Sequence, residues 1–356
     1  MKTRAMTLII LTPGFPGNEA DSTCLPSQQL FVRSLNKLYP ALQIIILSFE
    51  YPFRRETYLW HKNMVISMNG WKKGRMNKLL TYFLAWQKLS KLKKRYPIIG
   101  LLSFWCTGCA LLGKYFARFH GLPHYAWILG QDAKKENHFV RWIKPEAGEL
   151  IALSDFLANE FFRNHSVKPA HIIPNGIEPS MFSDTSSEKD IDLLAVGSLI
   201  PLKQHPLFIA IVYHLSKQMP DLSAVICGKG PEKEKLLTLI EELNLQDNIQ
   251  LKGELPHEEV LRLMQRTRVL LHPSNYEGYS TVCLEALYAG AEVVSFCNPK
   301  VDWIRNWYIV KDVQEMIKIT EELLLEENKN GTAVLLYTLD DQAKAVMQLY
   351  NYGEKK

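Results

Sequence analysis

Between Thr57 and Gln131 the chain has no acidic residue, although the same 75 positions carry twelve Lys and Arg. That span has no carboxylate of its own to neutralise its cations. No apolar run approaches the roughly 18 residues of a membrane-spanning helix, which excludes a helical span. The run Met6–Leu11 is short, and Pro13-Gly14-Phe15-Pro16-Gly17 follows it instead of a small-residue cleavage site. It therefore reads as a first buried strand, not a secretory leader. Cysteine is sparse and scattered, at 24, 106, 109, 227, 283 and 297. Cys106 and Cys109 form the one close pair, and no second pair or His pair completes a zinc set. The six read as reduced thiols of a cytosolic protein. No strand is followed by a complete Gly-x-Gly-x-x-Gly, which disfavours a dehydrogenase. Internal repeats and low-complexity tracts are also missing.

What is present is a soluble-type composition, 47% hydrophobic and 22% charged, in 356 residues. That length suits two domains. Residues 1–180 hold 24 Lys and Arg against 11 Asp and Glu, net +13, and the remainder is net −8. The asymmetry points to an anionic partner for the first half. The basic stretch shares its domain with site-like motifs and faces an acidic second half, which disfavours a nucleic-acid binder.

Short apolar runs alternate with helical patterns, the signature of parallel sheets with crossover helices. Strands are expected at Thr7–Leu11, Gln43–Ser48, Ile98–Ser103, Tyr125–Leu129, Leu150–Leu153 and His171–Ile173. A second series is expected at Leu193–Val196, Ala224–Ile226, Ile249–Leu251, Val269–Leu271 and Glu292–Ser295. The polar, turn-rich segment 178–190 reads as a linker. The expected division is an N-terminal α/β domain over 1–177, a C-terminal one over 191–337, and an amphipathic end segment over 338–356.

The densest motif is Ser274-Asn275-Tyr276-Glu277-Gly278-Tyr279-Ser280-Thr281-Val282-Cys283-Leu284-Glu285-Ala286-Leu287-Tyr288-Ala289-Gly290. It follows the run Val269–His272 and Pro273, so it reads as strand, loop and helix N-terminus. Unpaired N–H groups at such a terminus suit an anion such as a diphosphate. Glu277 in the loop and Glu285 one turn into the helix can accept hydrogen bonds from sugar hydroxyls on either side. The plainer alternative makes Glu285 a solvated helix residue and Glu277 a first-turn charge that favours the helix dipole.

This layout resembles the E-x7-E signature of family-4 retaining glycosyltransferases, which have the GT-B fold. The resemblance covers nearly the whole chain and is strongest from Ile173 to Gly290. It implies two facing Rossmann-like doubly wound domains with a cleft between them, and a final helix crossing back to the first domain. It implies transfer of a sugar from a nucleoside-diphosphate-sugar to a glycan or lipid-linked acceptor, without metal or cofactor. The turn Pro174-Asn175-Gly176 matches the end of the family's first domain. Val196-Gly197-Ser198-Leu199 sits where the family has Gly-Arg-Leu with a Lys five residues after the Arg. Lys203 is in place as one arm of the diphosphate clamp, but Ser198 occupies the Arg position and cannot replace a guanidinium fork.

Gly228 and Gly230 match the family's Gly-x-Gly-Pro beside the nucleotide, and Leu255 matches its nucleobase contact. Gly14 lies where the family has a phosphate loop, here without the usual Gly-Gly pair. Glu277, Lys203 and Asp132 become the catalytic candidates. Ser198, Gly228, Gly230, Leu255, Gly278, Tyr279, Ser280, Thr281, Glu285 and Gly14 become the donor-binding candidates. Asp132 follows the fourth strand, where family members touch the donor sugar, and a helix N-cap is the alternative. In the span 72–95, Met76, Leu79, Leu80, Phe83, Trp86 and Leu89 share one helical face. That face either packs on the sheet or, with its flanking cations, meets an anionic membrane surface at the inner leaflet or a lipid-diphosphate acceptor. The other class of function open to this fold is a non-catalytic nucleotide- or glycan-binding protein.

Overall fold

The computed structural model describes residues 5–70, 75–183, 188–298, 303–326 and 331–353. It divides into two compact units, one of residues 1–175 with 339–356 and one of residues 176–338. The division falls at the Pro174–Gly176 turn, upstream of the segment 178–190, which belongs to the second unit.

The first unit is built on an eight-stranded sheet in the order β3-β4-β2-β1-β5-β6-β7-β8. Its strands are β1 Thr7–Gly14, β2 Gln43–Tyr51, β3 Glu56–Trp60, β4 Asn63–Ser67, β5 Ile98–Phe104, β6 His124–Ile128, β7 Leu150–Ala152 and β8 His171–Ile172. All neighbours are parallel except β3 and β4. The central strand β1 is a near-continuous apolar run because helices cover both faces of a parallel sheet. Leu8 to Leu11 are fully buried. Its helices are α1 Pro26–Leu38, α2 Arg75–Arg95, α3 Gly108–His120, α4 Phe139–Ile143 and α5 Asp155–His165.

The hairpin β3–β4 is an addition to the expected strands. Its turn, His61-Lys62, has no Asn-Gly or Asp-Gly signal, and His61 takes the left-handed backbone itself at φ 49°. Helix α2 also departs from its expected single apolar face. Ala85, Leu89 and Leu92 pack against the sheet with Ile9, Leu47 and Phe116. Leu79, Leu80 and Phe83, one to two turns earlier, stand out from the surface at 68%, 49% and 59% exposure. Lys72 and Lys73, and the side chains of Arg75 and Met76, lie outside the described residues.

The second unit has a six-stranded, wholly parallel sheet in the order β11-β10-β9-β12-β13-β14. The strands are β9 Ile191–Val196, β10 Ala224–Cys227, β11 Ile249–Gly253, β12 Thr267–His272, β13 Glu292–Ser295 and β14 Trp307–Ile309. This is the 3-2-1-4-5-6 order of a dinucleotide-type fold, in which ligands sit outside the carboxyl ends of the strands where the order reverses. Helices α6 His205–Ser216, α7 Lys233–Glu242, α8 His257–Gln265, α9 Thr281–Tyr288 and α10 Val313–Leu325 connect and cover it. The chain enters and leaves this unit side by side, through a bridge of Ile177 with Thr338.

The last helix, α11 Leu339–Gln348, belongs to the first unit. Ser34 donates to the Leu339 carbonyl, Lys37 pairs with Asp340 at 2.8 Å, and the Tyr350 hydroxyl donates to the Leu101 carbonyl at 2.7 Å. Gly100 makes room for that ring, since a Cβ there would come within 2.4 Å of it.

Candidate active site

The carboxyl ends of β9 and β12 lie side by side, because these strands pair directly. The last residue of β12, His272, and the loops after the two strands bring Lys203, His272 and Glu277 together. Lys203 Nζ forms an ion pair with Glu277 Oε1. His272 Nε2 lies 3.2 Å from the same oxygen. Burial alone would raise the Glu277 carboxyl, but the His272 hydrogen bond and the Lys203 charge outweigh it and hold it down at about 2. The carboxylate is therefore ionised throughout the neutral range. The two loops are laced by main-chain and hydroxyl bonds. Asn275 N–H donates to the Leu202 carbonyl at 3.1 Å, and the Ser274 hydroxyl donates to it at 3.2 Å.

Helix α9 begins immediately after this cluster. Ser280 is its N-cap, with Oγ accepting from the Cys283 N–H at 3.4 Å. Tyr279 is buried, and its hydroxyl is pushed up to about 12 by that burial. One turn in, the buried Glu285 accepts from His257 at 2.7 Å, between its Oε1 and Nε2 of the imidazole at the start of α8. Burial would lower His257, yet the Glu285 carboxylate leaves it raised, so the imidazolium is favoured. Gly278, Tyr279, Ser280 and Thr281 thus form the junction between the Glu277 loop and α9.

The glycines at the ends of β9 and β10 have a packing reason of their own. A Cβ on Gly228, at φ 154°, would fall 1.8 Å from the Gly197 carbonyl oxygen. One on Gly230 would fall 2.4 Å from that of Leu199. The first loop also donates hydrogen bonds to the β10 end and its loop, from Gly197 N–H to Cys227 O and from Leu199 N–H to Lys229 O. Close approach of backbone to backbone is the constraint visible here. Ser198 is exposed on the first of these loops. Its carbonyl lies 3.3 Å from Nε2 of His205, a buried imidazole whose burial lowers its proton affinity. Leu255 is half-buried and lines a surface cavity of about 490 Å³ with Lys252, Arg262 and Arg266.

In the first unit, Asp132 is buried with its carboxylate turned onto the backbone. Oδ1 accepts from Leu129 and Gly130, and Oδ2 accepts from Cys106 at 2.8 Å. Burial pushes it up to about 6 against the pull of those N–H groups. This geometry ties the β6 loop to the β5 loop, where the sequence offered either a contact with the donor sugar or a helix N-cap. Gly14 ends β1, and a Cβ there would make only an ordinary 3.5 Å contact with Tyr51.

Sequence reasoning passed over His272 and His257. The available signal for His272 was a polar residue closing the buried run Val-Leu-Leu. The reading that the sequence contains no Asp-x-Asp triplet is corrected by Asp190-Ile191-Asp192. Asp190 pairs with Arg266, while Asp192 pairs with Arg268 and accepts from the Ser223 N–H. Both sit at the amino end of β9, opposite Lys203. No group of three His, Cys, Asp or Glu among the described residues is placed to hold a metal.

The sequence profile of the glycosyl transferases group 1 family matches residues 177–328. A gpi3 subunit of phosphatidylinositol N-acetylglucosaminyltransferase from Schizosaccharomyces pombe is 32% identical over 131 residues, 36% of this chain and 29% of that protein. A Campylobacter jejuni N-acetylgalactosaminyltransferase, whose name specifies a diphospho-undecaprenol acceptor, is 31% identical over 156 residues, 42% and 41% of the two chains. The matches therefore span less than half the length of these relatives. The Anabaena protein HepE, solved with UDP and glucose, superposes with a TM-score of 0.67 at 15% identity, covering 97% of this chain and 95% of its own. The profile match identifies residues 177–328 as a glycosyl transferases group 1 segment, and the two α/β units have the GT-B fold.

Proposed function

We propose that the protein moves a sugar from a nucleoside-diphosphate-sugar to a hydroxyl of a glycan or lipid-linked acceptor, retaining the anomeric configuration and without a metal. The observation that carries this reading is Lys203 and His272 converging on Glu277 at the N-terminus of α9, with Glu285 one turn further on. The C1–O bond to the diphosphate breaks, and its electron pair leaves with the diphosphate. Stabilising that developing charge is the main task. Lys203 and the first N–H groups of α9 supply it. Glu277, ionised and held by two partners, orients the donor sugar. Glu285, anchored by His257, takes the ribose hydroxyls. On the same face of the sugar, the acceptor oxygen bonds to C1 and its proton passes to the departing phosphate. The chain would work at the inner face of a membrane, its first unit meeting anionic lipid, in synthesis of a cell-surface polysaccharide or glycolipid.

The test is a thermal-shift screen of nucleotide sugars followed by product analysis. A ligand of the native state raises the unfolding midpoint, and NMR of the product reads its anomeric configuration. An inverted product would overturn the retaining assignment. Ser198 in the place of an Arg favours a second reading, a protein that binds the nucleotide and transfers nothing. A donor that shifts the midpoint but is neither hydrolysed nor transferred would establish that one.

A further inference from the structure

Strand β13 lies between β12, which leads into the Glu277 loop, and the edge strand β14. Its last residue, the fully buried Ser295, stands opposite His272 in the β12–β13 register. A line of hydrogen bonds runs from the edge strand to the loop. The buried Trp307 of β14 donates its Nε1–H to the Ser295 hydroxyl at 2.8 Å. That hydroxyl donates to the Cys297 carbonyl at 3.0 Å. The Cys297 thiol in turn donates to the carbonyl of the fully buried Ser274 at 3.1 Å. The Glu277 N–H donates to the same sulfur.

A thiol can donate and accept together only while it keeps its proton. Burial and the Glu277 charge push the Cys297 thiol up to about 11, against the pull of the Glu277 N–H. The proton therefore stays in the neutral range, and the sulfur is a hydrogen-bonding group and a poor nucleophile. Its two partners are the first and last residues of the segment 274–277, which lies outside any helix or strand. From the other side, the Leu202 carbonyl accepts from the Asn275 N–H and the Ser274 hydroxyl. Within the segment, the Ser274 hydroxyl reaches the Tyr276 carbonyl only at 3.4 Å. Gly278, with the least restricted backbone of any residue type, follows directly. Hydrogen bonds from two directions thus set where the Glu277 main chain stands. Its carboxylate meets Lys203 and His272 on one oxygen, a geometry that a shift of the main chain would break. A misplacement of about 1 Å can cost on the order of 10²-fold in rate.

We propose that Trp307, Ser295 and Cys297 form a positioning relay for Glu277, through which the edge of the sheet fixes the carboxylate that orients the donor sugar. None of the three is assigned a contact with the reacting atoms. The effect on catalysis rests on the role given to Glu277 above; the placement of the loop does not.

The experiment compares Cys297→Ala, Cys297→Ser and Trp307→Phe in the full chain. Amide hydrogen exchange followed by NMR, with no ligand added, reads the Glu277 N–H. Exchange there should quicken at least about tenfold in Cys297→Ala and severalfold in Trp307→Phe. It should return towards the wild-type rate in Cys297→Ser, which keeps a donor and an acceptor. With the nucleotide sugar that the thermal-shift screen selects, Cys297→Ala should lower kcat at least about tenfold. Its affinity for the nucleoside diphosphate of that donor should stay within about twofold, and serine should restore most of the rate. Unchanged exchange at Glu277 in Cys297→Ala would overturn the proposal, as would a serine variant no better than alanine. So would wild-type exchange in Trp307→Phe, which would cut the relay at its first link. A lower melting temperature with wild-type kcat in Cys297→Ala would leave the sulfur a structural contact only, and the relay would fall while the transfer reaction stands. Faster Glu277 exchange in a protein that transfers no sugar does the reverse: the loop placement stands and the transfer reaction is removed.

Discussion

Glu277 meets Lys203 and His272 on one oxygen, so its charge state and position are fixed together. Glu277→Ala should reduce kcat by at least about 10²-fold, the loss typical when a group stabilising the transition state is removed, with an unchanged circular dichroism spectrum. A carboxyl held at about 2 contributes stability above the ordinary Glu range and loses it as pH falls from about 4.5 towards 2. Unfolding free energies from urea titration at pH 6 and pH 3 should therefore differ more for the wild type than for Glu277→Gln, by on the order of 2 kcal/mol. His257 runs the opposite way. Raised by Glu285, it contributes stability below its unfolded value near 6.5 and loses it as pH rises through its folded one. In an NMR titration, Glu285→Gln should move His257 downward, and Glu285→Ala should weaken nucleotide binding by roughly 1–3 kcal/mol. The sequence singles out Glu277 and Glu285 because one motif ties them to a single strand, loop and helix, and Lys203 through a separate motif after β9. His272 and His257 were not legible, since only the fold shows which carboxylate each one faces.

At the scale of elements, the N-terminus of α9 is where a cap and a ligand site coincide. Ser280→Ala should cost about 1 kcal/mol of stability and also weaken binding of a nucleoside diphosphate, read in the same thermal-shift assay. Gly228→Ala should be worse, because its Cβ meets a carbonyl and no side chain can give way. A fall in melting temperature of several degrees is expected, consistent with about 1–3 kcal/mol in a domain of this size. The central strands were readable as apolar runs, since a parallel sheet covered on both faces admits no polar alternation. The hairpin β3–β4 and the three-residue β14 were not, because His61-Lys62 carries no turn signature and β14 is too short for a pattern. The face of α2 misled for a different reason. Periodicity shows that residues share a side of a helix but not how far along the helix its neighbour reaches.

For the whole molecule, charge is the property most open to the sequence. With 24 cations against 11 acids over residues 1–180, the wild type should bind vesicles containing anionic lipid at low salt. Each cation near such a surface contributes about 1 kcal/mol, within a Debye length. Replacing Lys72, Lys73, Arg75 and Lys78 by Gln should release the protein without altering donor hydrolysis, and 0.5 M salt should do the same. Co-sedimentation reads both. Failure of the wild type to bind at low salt would favour a soluble acceptor.

The tie between Tyr350 and the Leu101 carbonyl has a consequence for the order of assembly. Its ring fills the space above Gly100, against a sheet whose strands are all made before residue 175. On the ribosome, that unit waits with an unfilled groove while some 160 residues of the second unit are synthesised. The usual rule, that the N-terminal domain folds first, is inverted in its last step. The second unit can close as soon as Thr338 reaches Ile177, whereas the first is completed only by a segment translated after it.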